Sequence, residues 1–386
     1  MGPSTMNKET APVAYLHHFR PLAVGPVRAQ EDIAAWLKAG LARARGGRLT
    51  AQEKRALALY DRFARGGAVE GRASAVADYG RRDWAKMTLF RDAGGAPWHQ
   101  PALQTRMALY EKSVLALAGR AFPPGEPAPD YAIQVSCTGY ASPHAVQRLA
   151  ARRAWASRVL HVGHMGCYAA VPAAAMAAKL VRGEAATGRP RARAALFLAE
   201  LCSLHLKPGA AADEQVVVNS LFGDGAIRFD ASLAPRGPAL ALLDSAEELV
   251  PGSEEDMTWR LQDSSFHMTL SRDVPALVGA AVAGFVRRLL KRNGLALGDV
   301  TRFAIHPGGP RVIDQALKSL GLPPDAAPHS REVLRARGNM SSTTLPHIWH
   351  ALLEDESVRR GELILSLAFG PGLTLVANLL RKESRR

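Results

Sequence analysis

The residues with the clearest potential for chemistry are a cysteine, a histidine and an asparagine, each standing where a predicted element ends or a turn begins. Cys167, in His-Met-Gly-Cys-Tyr, follows a buried strand pattern and precedes a helical one. A thiol at such an elbow would face the positive end of a helix dipole, which lowers a thiol pKa and favours the nucleophilic thiolate. The same position also suits a small buried hydrophobic residue, so the cysteine alone leaves both interpretations open.

His306 and Asn339 occupy comparable positions further along the chain. His306, in Ile-His-Pro-Gly-Gly-Pro, lies between a predicted strand and a predicted helix. It can pair with a thiolate or polarise a carbonyl, or it can serve only as a core or capping residue. Asn339, in Arg-Gly-Asn-Met-Ser-Ser, can donate a hydrogen bond to a developing oxyanion, or it can simply form the turn after glycine. Each signal is weak alone, but their order and their contexts are informative together.

Two histidine pairs raise the question of a metal site. His161 and His164 are three residues apart, and so are His347 and His350. Neither pair has a cysteine or carboxylate that completes a ligand set, and the first pair lies on a predicted strand rather than on one helix face. We therefore predict no metal site.

Alternating strands and helices would hold these residues in place. Strands are predicted at residues 131–137, 158–164, 194–201, 302–306, 363–369 and 373–380, and helices at 31–44, 52–64, 143–154, 167–181, 274–292 and 310–320. Such alternation implies a parallel sheet covered on both faces. Residues 233–256 combine Pro-Arg-Gly-Pro, an acidic stretch and Pro-Gly, which predicts a linker between two α/β halves, residues 1–235 and 236–386.

Composition excludes several classes of protein. The 386 residues are 47% hydrophobic, which indicates a globular chain of two packed halves. No apolar run is long enough for a membrane span, and no secretory signal pattern opens the chain, so we expect a cytoplasmic protein. An odd count of three cysteines argues against a disulfide scaffold. The net charge of +14 comes from scattered arginines, so we expect no nucleic-acid partner but a surface that suits coenzyme A or an acidic carrier protein.

The chain resembles the type III polyketide synthases, the chalcone synthase-like family. The matching segments, in family order, are Gly166-Cys167, Leu221-Phe-Gly-Asp-Gly225, Ile305-His-Pro-Gly-Gly-Pro310, Arg337-Gly-Asn-Met-Ser-Ser342 and Phe369-Gly-Pro-Gly-Leu373. The resemblance implies a homodimer with the five-layered αβαβα fold of the thiolases, built from two similar halves.

The resemblance also implies a role for each matching residue. Cys167 would hold the starter acyl group as a thioester, with His306 stabilising its thiolate. His306 and Asn339 would bind the thioester oxygen of malonyl-CoA while carbon dioxide leaves, and the resulting enolate would attack the acyl group. No metal or redox cofactor is implied. Phe222 matches a gatekeeper phenylalanine between the coenzyme A tunnel and the cavity.

The chain departs from the family where substrate choice is set. Met268 stands at the second gatekeeper position, a phenylalanine in plant enzymes, and Trp259 falls near a cavity glycine. Cavity positions that are threonine in chalcone synthases fall on Cys137, Cys202 and His205. A coumaroyl starter is therefore not implied, and we expect a fatty or β-ketoacyl starter that ends as an alkyl-pyrone or alkyl-resorcinol.

The coenzyme A phosphate site differs as well. Of three basic positions in the family, only Arg62 matches, while Leu59 and Gly66 occupy the others and Arg65 stands beside the lost charge. Coenzyme A binds with fewer phosphate contacts, or the acyl donor arrives on an acyl carrier protein. The second option suits a ketoacyl synthase III-like or chain-joining ketosynthase. A third hypothesis is a non-catalytic acyl-binding subunit, against which the intact Cys–His–Asn set argues.

Overall fold

The computed structural model describes residues 12–44, 48–92 and 101–383. The strands in these ranges are β1 (Ala14–Leu22), β2 (Val27–Ala29), β3 (Gly71–Ala73), β4 (Tyr131–Ser136), β5 (Arg158–Gly163), β6 (Arg193–Leu201), β7 (Asp224–Ser232), β8 (Ala239–Leu249), β9 (Met257–Leu261), β10 (Phe266–Leu270), β11 (Val300–Ile305), β12 (Leu363–Gly370) and β13 (Thr374–Glu383). The α-helices there are α1 (Gln30–Arg43), α2 (Ala51–Arg65), α3 (Leu103–Ala121), α4 (Ala145–Arg152), α5 (Ala170–Ala186), α6 (Asp213–Leu221), α7 (Val274–Arg292), α8 (Pro310–Ser319), α9 (Pro328–Arg337) and α10 (Thr344–Glu354).

Nine strands form one mixed sheet in the order β11-β12-β13-β8-β1-β7-β6-β4-β5. Only β4 with β5, β4 with β6, and β11 with β12 pair in parallel. The predicted parallel sheet is therefore only partly right; the short connection after β12, for example, returns β13 antiparallel beside it. β1, which has no counterpart among the predicted elements, pairs with both β7 and β8 and joins the two halves of the chain.

Strand alternation produces the layers, because successive side chains point to opposite faces. On β4, Ile133 and Val135 pack into a central core with α5 and α10, whereas Ala132 packs with the outer helices α1 to α4. On β12, Ile364 joins the central core and Leu365 joins an outer core with α7 and α8. The five-layered αβαβα arrangement expected from the resemblance is thus confirmed.

The predicted linker at residues 233–256 is wrong, because its central residues, Ala239–Leu249, form β8. This strand of 11 residues lies inside the sheet, between β1 and β13. Its acidic residues are paired rather than linker-like: Asp244 lies 2.5 Å from Arg292, and Glu248 lies 2.5 Å from Arg288, both on α7. The Pro-Arg-Gly-Pro segment marks only the turn that connects β7 to β8.

The other predicted elements match the structure to within a few residues, and α7 matches at both ends. Their order places the candidate catalytic residues in turns that follow β5, β11 and α9. Across the described ranges, no helix has both the length and the apolar character that crossing a membrane requires.

Candidate active site

Cys167 lies in the turn between β5 and α5. A 3₁₀ turn over Gly166–Tyr168 presents the thiol just before the first residue of α5. Gly166 has φ of +80°, and a Cβ there would lie 2.8 Å from Cδ of Pro371. Only glycine fits this contact and this backbone conformation. The Gly-Pro-Gly loop after β12 therefore packs directly against the nucleophile turn.

Asn339 reaches the thiol from the other half of the chain. Its Nδ2 lies 3.9 Å from Sγ of Cys167. Its Oδ1, 4.0 Å from the same sulfur, accepts the backbone N–H of Ser341 at 2.8 Å, which fixes the amide group beside the thiol. Its own backbone N–H donates to the carbonyl of Leu221 at 2.8 Å. The structure thus brings together two of the three predicted catalytic residues although 172 positions separate them.

His306 lies at the carboxyl end of β11 and is 1% exposed. Its backbone N–H donates to the carbonyl of Leu367 in β12 at 2.8 Å. The same loop packs on Leu221, since a Cβ at Gly309 would lie 3.2 Å from that side chain. Within the described part of the chain, neither ring nitrogen of His306 has a hydrogen-bond partner. A buried imidazole left unsatisfied is costly, which indicates that a reacting group completes its hydrogen bonds.

Burial dominates the electrostatics of the site. It raises the pKa of the Cys167 thiol to about 11, although hydrogen bonds from Ser341 and Asn339 lower it. Burial lowers the pKa of His306 to about 3. The sequence-based expectation of a lowered thiol pKa is therefore wrong for the resting protein, because desolvation outweighs the helix dipole. Burial thus disfavours both an isolated thiolate on Cys167 and an isolated imidazolium on His306.

Cys167 lines an apolar cavity that opens to solvent. The predicted gatekeeper and cavity residues all lie on its wall: Phe222, Met268, Cys137, Cys202 and His205. Burial raises the pKa of both other thiols well above the usual value. Their placement agrees with a role as wall residues rather than as nucleophiles.

One wall of the cavity is an aromatic cluster from the β9–β10 hairpin. The ring of Phe266 stacks on His205 with centroids 4.4 Å apart, and Trp259 meets His205 edge-on at 5.5 Å. The indole N–H of Trp259 donates to the carbonyl of Cys137 at 2.6 Å, and Nε2 of His205 lies 2.8 Å from the carbonyl of Thr138. Hydrogen bonds therefore fix the position of the wall.

Glu200, which the sequence analysis did not single out, lies behind this wall as a fully buried carboxylate. It accepts hydrogen bonds from the backbone N–H of Cys137 at 3.0 Å, from Oγ1 of Thr138 at 2.8 Å and from the hydroxyl of Ser342. Burial raises its pKa, and these donors lower it. Beside it, Oγ of Ser341 lies 3.0 Å from Sγ of Cys137. The sequence did contain a signal for Glu200, because it is a charged residue near the end of an otherwise apolar strand pattern.

Arg62 and Arg65 lie in the last turn of α2. Phe63, between them, packs against the apolar cluster that contains Cys167 and Phe222. This contact places the end of α2 beside the cavity. The structure thus brings the two predicted phosphate-binding arginines near the site but outside its apolar wall.

The histidine pairs considered for a metal bind other groups. Nε2 of His164 and Nδ1 of His347 each lie 2.8 Å from a backbone carbonyl. In the described ranges a separate group of side chains has metal-binding geometry: His18, Glu126 and Asp230. The buried guanidinium of Arg228 already pairs with both of its carboxylates, which leaves little negative charge for a cation.

Comparison with known sequences relates the chain to one family. Residues 241–383 match the C-terminal domain of chalcone and stilbene synthases. The chain is 33% identical over 229 residues to the alpha-pyrone synthesis polyketide synthase-like Pks18 of Mycobacterium tuberculosis, over 57% of this chain and 56% of that protein. It thus spans just over half the length of this relative. A putative chalcone synthase of Bacillus subtilis is 30% identical over 249 residues, covering 62% of this chain and 67% of that protein.

Solved structures share the fold over nearly the whole chain. PKS-I from the brown alga Ectocarpus siliculosus superposes with a TM-score of 0.80 at 22% identity, covering 98% of this chain and 100% of that chain. The 1,3,6,8-tetrahydroxynaphthalene synthase of Streptomyces coelicolor superposes with a TM-score of 0.78 at 23% identity, covering 96% and 100%. At these identities the likeness establishes the fold alone.

Proposed function

Because the chain belongs to the chalcone and stilbene synthase family of type III polyketide synthases, we propose that it extends an acyl thioester with malonyl-CoA and closes the product into a ring. The observation that carries this proposal is the site itself. The amide of Asn339 faces the Cys167 thiol, and His306 is a buried imidazole without a hydrogen-bond partner in the described ranges. Such a set suits acyl transfer through a covalent thioester.

In the loading step, His306 takes the proton of Cys167, and the thiolate sulfur attacks the carbonyl carbon of the starter thioester. The new S–acyl bond forms as the old thioester bond breaks, and the departing thiolate of the carrier takes the proton back. Because burial disfavours an isolated thiolate, the imidazolium formed in the same transfer offsets much of the cost of that charge.

In the extension step, malonyl-CoA loses carbon dioxide, and the electron pair of the broken C–C bond passes into the thioester as an enolate. The Asn339 amide and the His306 ring are the donors available for the enolate oxygen, in a buried site where such hydrogen bonds are strong. The enolate carbon attacks the acyl group, and Cys167 leaves as thiolate. The thioester and the release of carbon dioxide drive the reaction, so we propose no metal or redox cofactor.

The cavity wall supports an apolar acyl chain as starter. Phe222, Met268, Trp259 and Phe266 line it, and both ring nitrogens of His205 are already bonded to backbone groups. Few polar groups remain to recognise an aromatic starter's hydroxyl. A fatty or β-ketoacyl starter, with release as an alkyl-pyrone or alkyl-resorcinol, fits this lining.

Coenzyme A is the proposed carrier of both substrates. We assign its phosphates to Arg62 and Arg65 at the end of α2; the packing of Phe63, between them, against the cluster that contains Cys167 supports this assignment. Only two cations serve this role, which keeps an acyl carrier protein as the second candidate donor. In that case the enzyme is a ketosynthase that condenses carrier-bound chains.

A homodimer is proposed from the family and from the edge of the sheet. β5 ends the nine-stranded sheet, and its Val159, Leu160 and Val162 are only partly buried. An edge strand with partly exposed apolar side chains is a site for pairing with a second strand. Analytical ultracentrifugation is expected to give twice the mass of one chain.

Incubation with ¹³C-malonyl-CoA and acyl-CoAs of increasing length, followed by mass spectrometry of small products, tests the function. Labelled pyrones or resorcinols, absent with Cys167→Ala, support the polyketide synthase. A single labelled β-ketoacyl product obtained only from carrier-bound donors supports the ketosynthase. Bound acyl thioester without any labelled product would leave the non-catalytic acyl-binding subunit.

A further inference from the structure

Arg72, in β3, is fully buried beside two segments of the active site, the end of α6 and the turn that carries Asn339. A buried guanidinium is costly unless its donors are satisfied. Its Nε and Nη1 donate to an amide oxygen and to backbone carbonyls, and the ring of Tyr79 lies 5.9 Å away. Among the described residues, its Nη2 has no hydrogen-bond partner, and no carboxylate forms an ion pair with it. Such a set of partners indicates that the side chain holds backbone in place.

The first segment that Arg72 holds is the end of α6. Its Nη1 donates to the carbonyls of Asn219 at 2.8 Å and Phe222 at 2.5 Å. Its Nε donates at 3.0 Å to Gln30, whose own amide donates to the carbonyl of Ser220 at 2.8 Å. The last carbonyls of a helix have no partner within the helix, and a cation there opposes the negative end of its dipole. Arg72 therefore caps the helix that delivers Phe222 to the cavity.

The second segment is the turn that carries Asn339. Gly338 has φ of +69°, and a Cβ there would lie 2.8 Å from Cδ of Arg72 and 2.6 Å from the carbonyl of Leu221. A Cβ at Gly223, on the other side, would lie 3.1 Å from Cβ of Arg72. The aliphatic stem of the arginine thus fills the space between the two turns.

Backbone hydrogen bonds join these turns into one unit. The N–H of Gly223 donates to the carbonyl of Asn339 at 2.9 Å, and the N–H of Asn339 donates to the carbonyl of Leu221 at 2.8 Å. Any shift of the α6 end therefore moves the Asn339 turn, and with it the amide that faces Cys167. A displacement of about 1 Å in a positioned catalytic group can cost about 100-fold in rate.

We propose that Arg72 is a positioning residue that sets the Asn339 amide, so that it controls malonyl decarboxylation more than acyl loading. The inference rests on the proposed function, in which Cys167 loads the starter and Asn339 serves the enolate. Asn339 is needed when negative charge moves onto the malonyl thioester oxygen, whereas loading depends on the thiol and its base.

Two substitutions separate positioning from plain structural support. Arg72→Met keeps an aliphatic stem and removes every hydrogen bond, and Arg72→Lys keeps the charge without the planar fork. We expect both variants to load acyl-CoA onto Cys167 within about threefold of the wild-type rate, measured by intact-protein mass spectrometry. Release of ¹³CO₂ from labelled malonyl-CoA should fall by about 10- to 100-fold with methionine, and less with lysine.

Arg228→Met is the matched control. Arg228, on β7, is also fully buried, but it pairs with Glu126 and Asp230 and contacts neither catalytic turn in the described part of the chain. We expect this variant to lower the melting temperature without changing the ratio of decarboxylation to loading. Equal loss of both rates in the Arg72 variants, in step with their melting temperatures, would overturn the positioning role.

Amide hydrogen exchange decides the inference even without turnover. Peptides covering residues 219–223 and 338–341 should exchange their amide hydrogens faster in Arg72→Lys and Arg72→Met than in the wild type. Their exchange rates should be unchanged in Arg228→Met. No change in those peptides would overturn the inference while leaving the proposed function intact. A wild-type protein that neither loads nor decarboxylates would instead overturn the proposed function.

Discussion

Replacing His306 by glutamine should change how Cys167 responds to pH. With the pKa of the thiol raised to about 11, only roughly 1 in 10⁴ molecules would carry a thiolate at pH 7 if the thiol ionised alone. With the pKa of His306 near 3, solvent would protonate it in a similarly small fraction at that pH. When a proton moves from Cys167 to His306, the total number of protons on the two residues stays the same. The fraction of thiolate made by this transfer therefore does not depend on pH between the pKa values of His306 and Cys167.

The alkylation rate of Cys167 by iodoacetamide is the assay. In the wild type, we expect the rate to rise less steeply between pH 6 and pH 9 than in His306→Gln, because thiolate made by internal transfer does not depend on pH. In His306→Gln, the thiol must ionise alone, so the rate should rise about tenfold per pH unit, or about 100-fold from pH 7 to pH 9.

Two controls isolate this effect. Cys167→Ser gives the background from Cys137 and Cys202, whose thiols burial keeps protonated. His144→Gln removes another buried histidine, which lies at the start of α4. Its Nδ1 is 3.0 Å from the side-chain oxygen of Gln134 in β4. This substitution should leave the pH profile of the wild type unchanged. A wild-type rate that rises tenfold per pH unit, as in His306→Gln, would refute the proton transfer.

Three further outcomes are expected. Asn339→Ala should reduce malonyl-CoA decarboxylation by about 10²–10³-fold, as loss of one oxyanion donor does, while acyl loading measured by mass spectrometry stays within a few fold. Trp259→Ala opens the cavity wall; room for about three methylenes at about 0.8 kcal/mol each should shift kcat/KM toward longer acyl-CoAs by about 50-fold. Although burial opposes ionisation, His18 and Arg228 hold the pKa of Asp230 well below its usual range. Its contribution to stability is therefore present above about pH 4 and is lost as pH falls. Asp230→Asn should lower the free energy of unfolding at pH 7 by about 3 kcal/mol, and denaturant titrations should show less loss toward pH 3 than in the wild type.

Much of the scaffold was predictable because local patterns match tertiary roles. The helix at 274–292 combines an apolar stripe with an Asn-Gly stop, and the structure ends α7 at the predicted residue. The strands around Cys167 and His306 are apolar and short, so their carboxyl ends could be placed from the sequence. The motifs that carry the resemblance lie in the turns after these elements.

The linker was mispredicted because acidic residues in a strand look like a linker until their partners are known. Asp244 and Glu248 meet arginines of α7 that lie more than 30 residues further along the chain. β1 was missed for a similar reason. Its His17 is polar in sequence, but it is buried against Ser232 at 2.8 Å in the neighbouring strand.

The charge state of Cys167 depends on something that no local pattern contains. The strand–turn–helix context favours a thiolate, but Ala-rich α5 and the Gly-Pro-Gly loop close over the turn and exclude water. Desolvation then outweighs the helix dipole. The role of Arg72 was equally hidden, because its partners come from α6 and from the turn before Asn339.

The proposed function depends on covalent loading of Cys167, which intact-protein mass spectrometry can measure. The protein is incubated with a panel of acyl-CoAs and carrier-bound acyl thioesters, digested to locate any adduct, and then given malonyl-CoA. We expect an acyl adduct on Cys167, absent from Cys167→Ser, that disappears on addition of malonyl-CoA as a small product is released. An adduct that maps to Cys137 or Cys202, or no adduct from any donor, would contradict it.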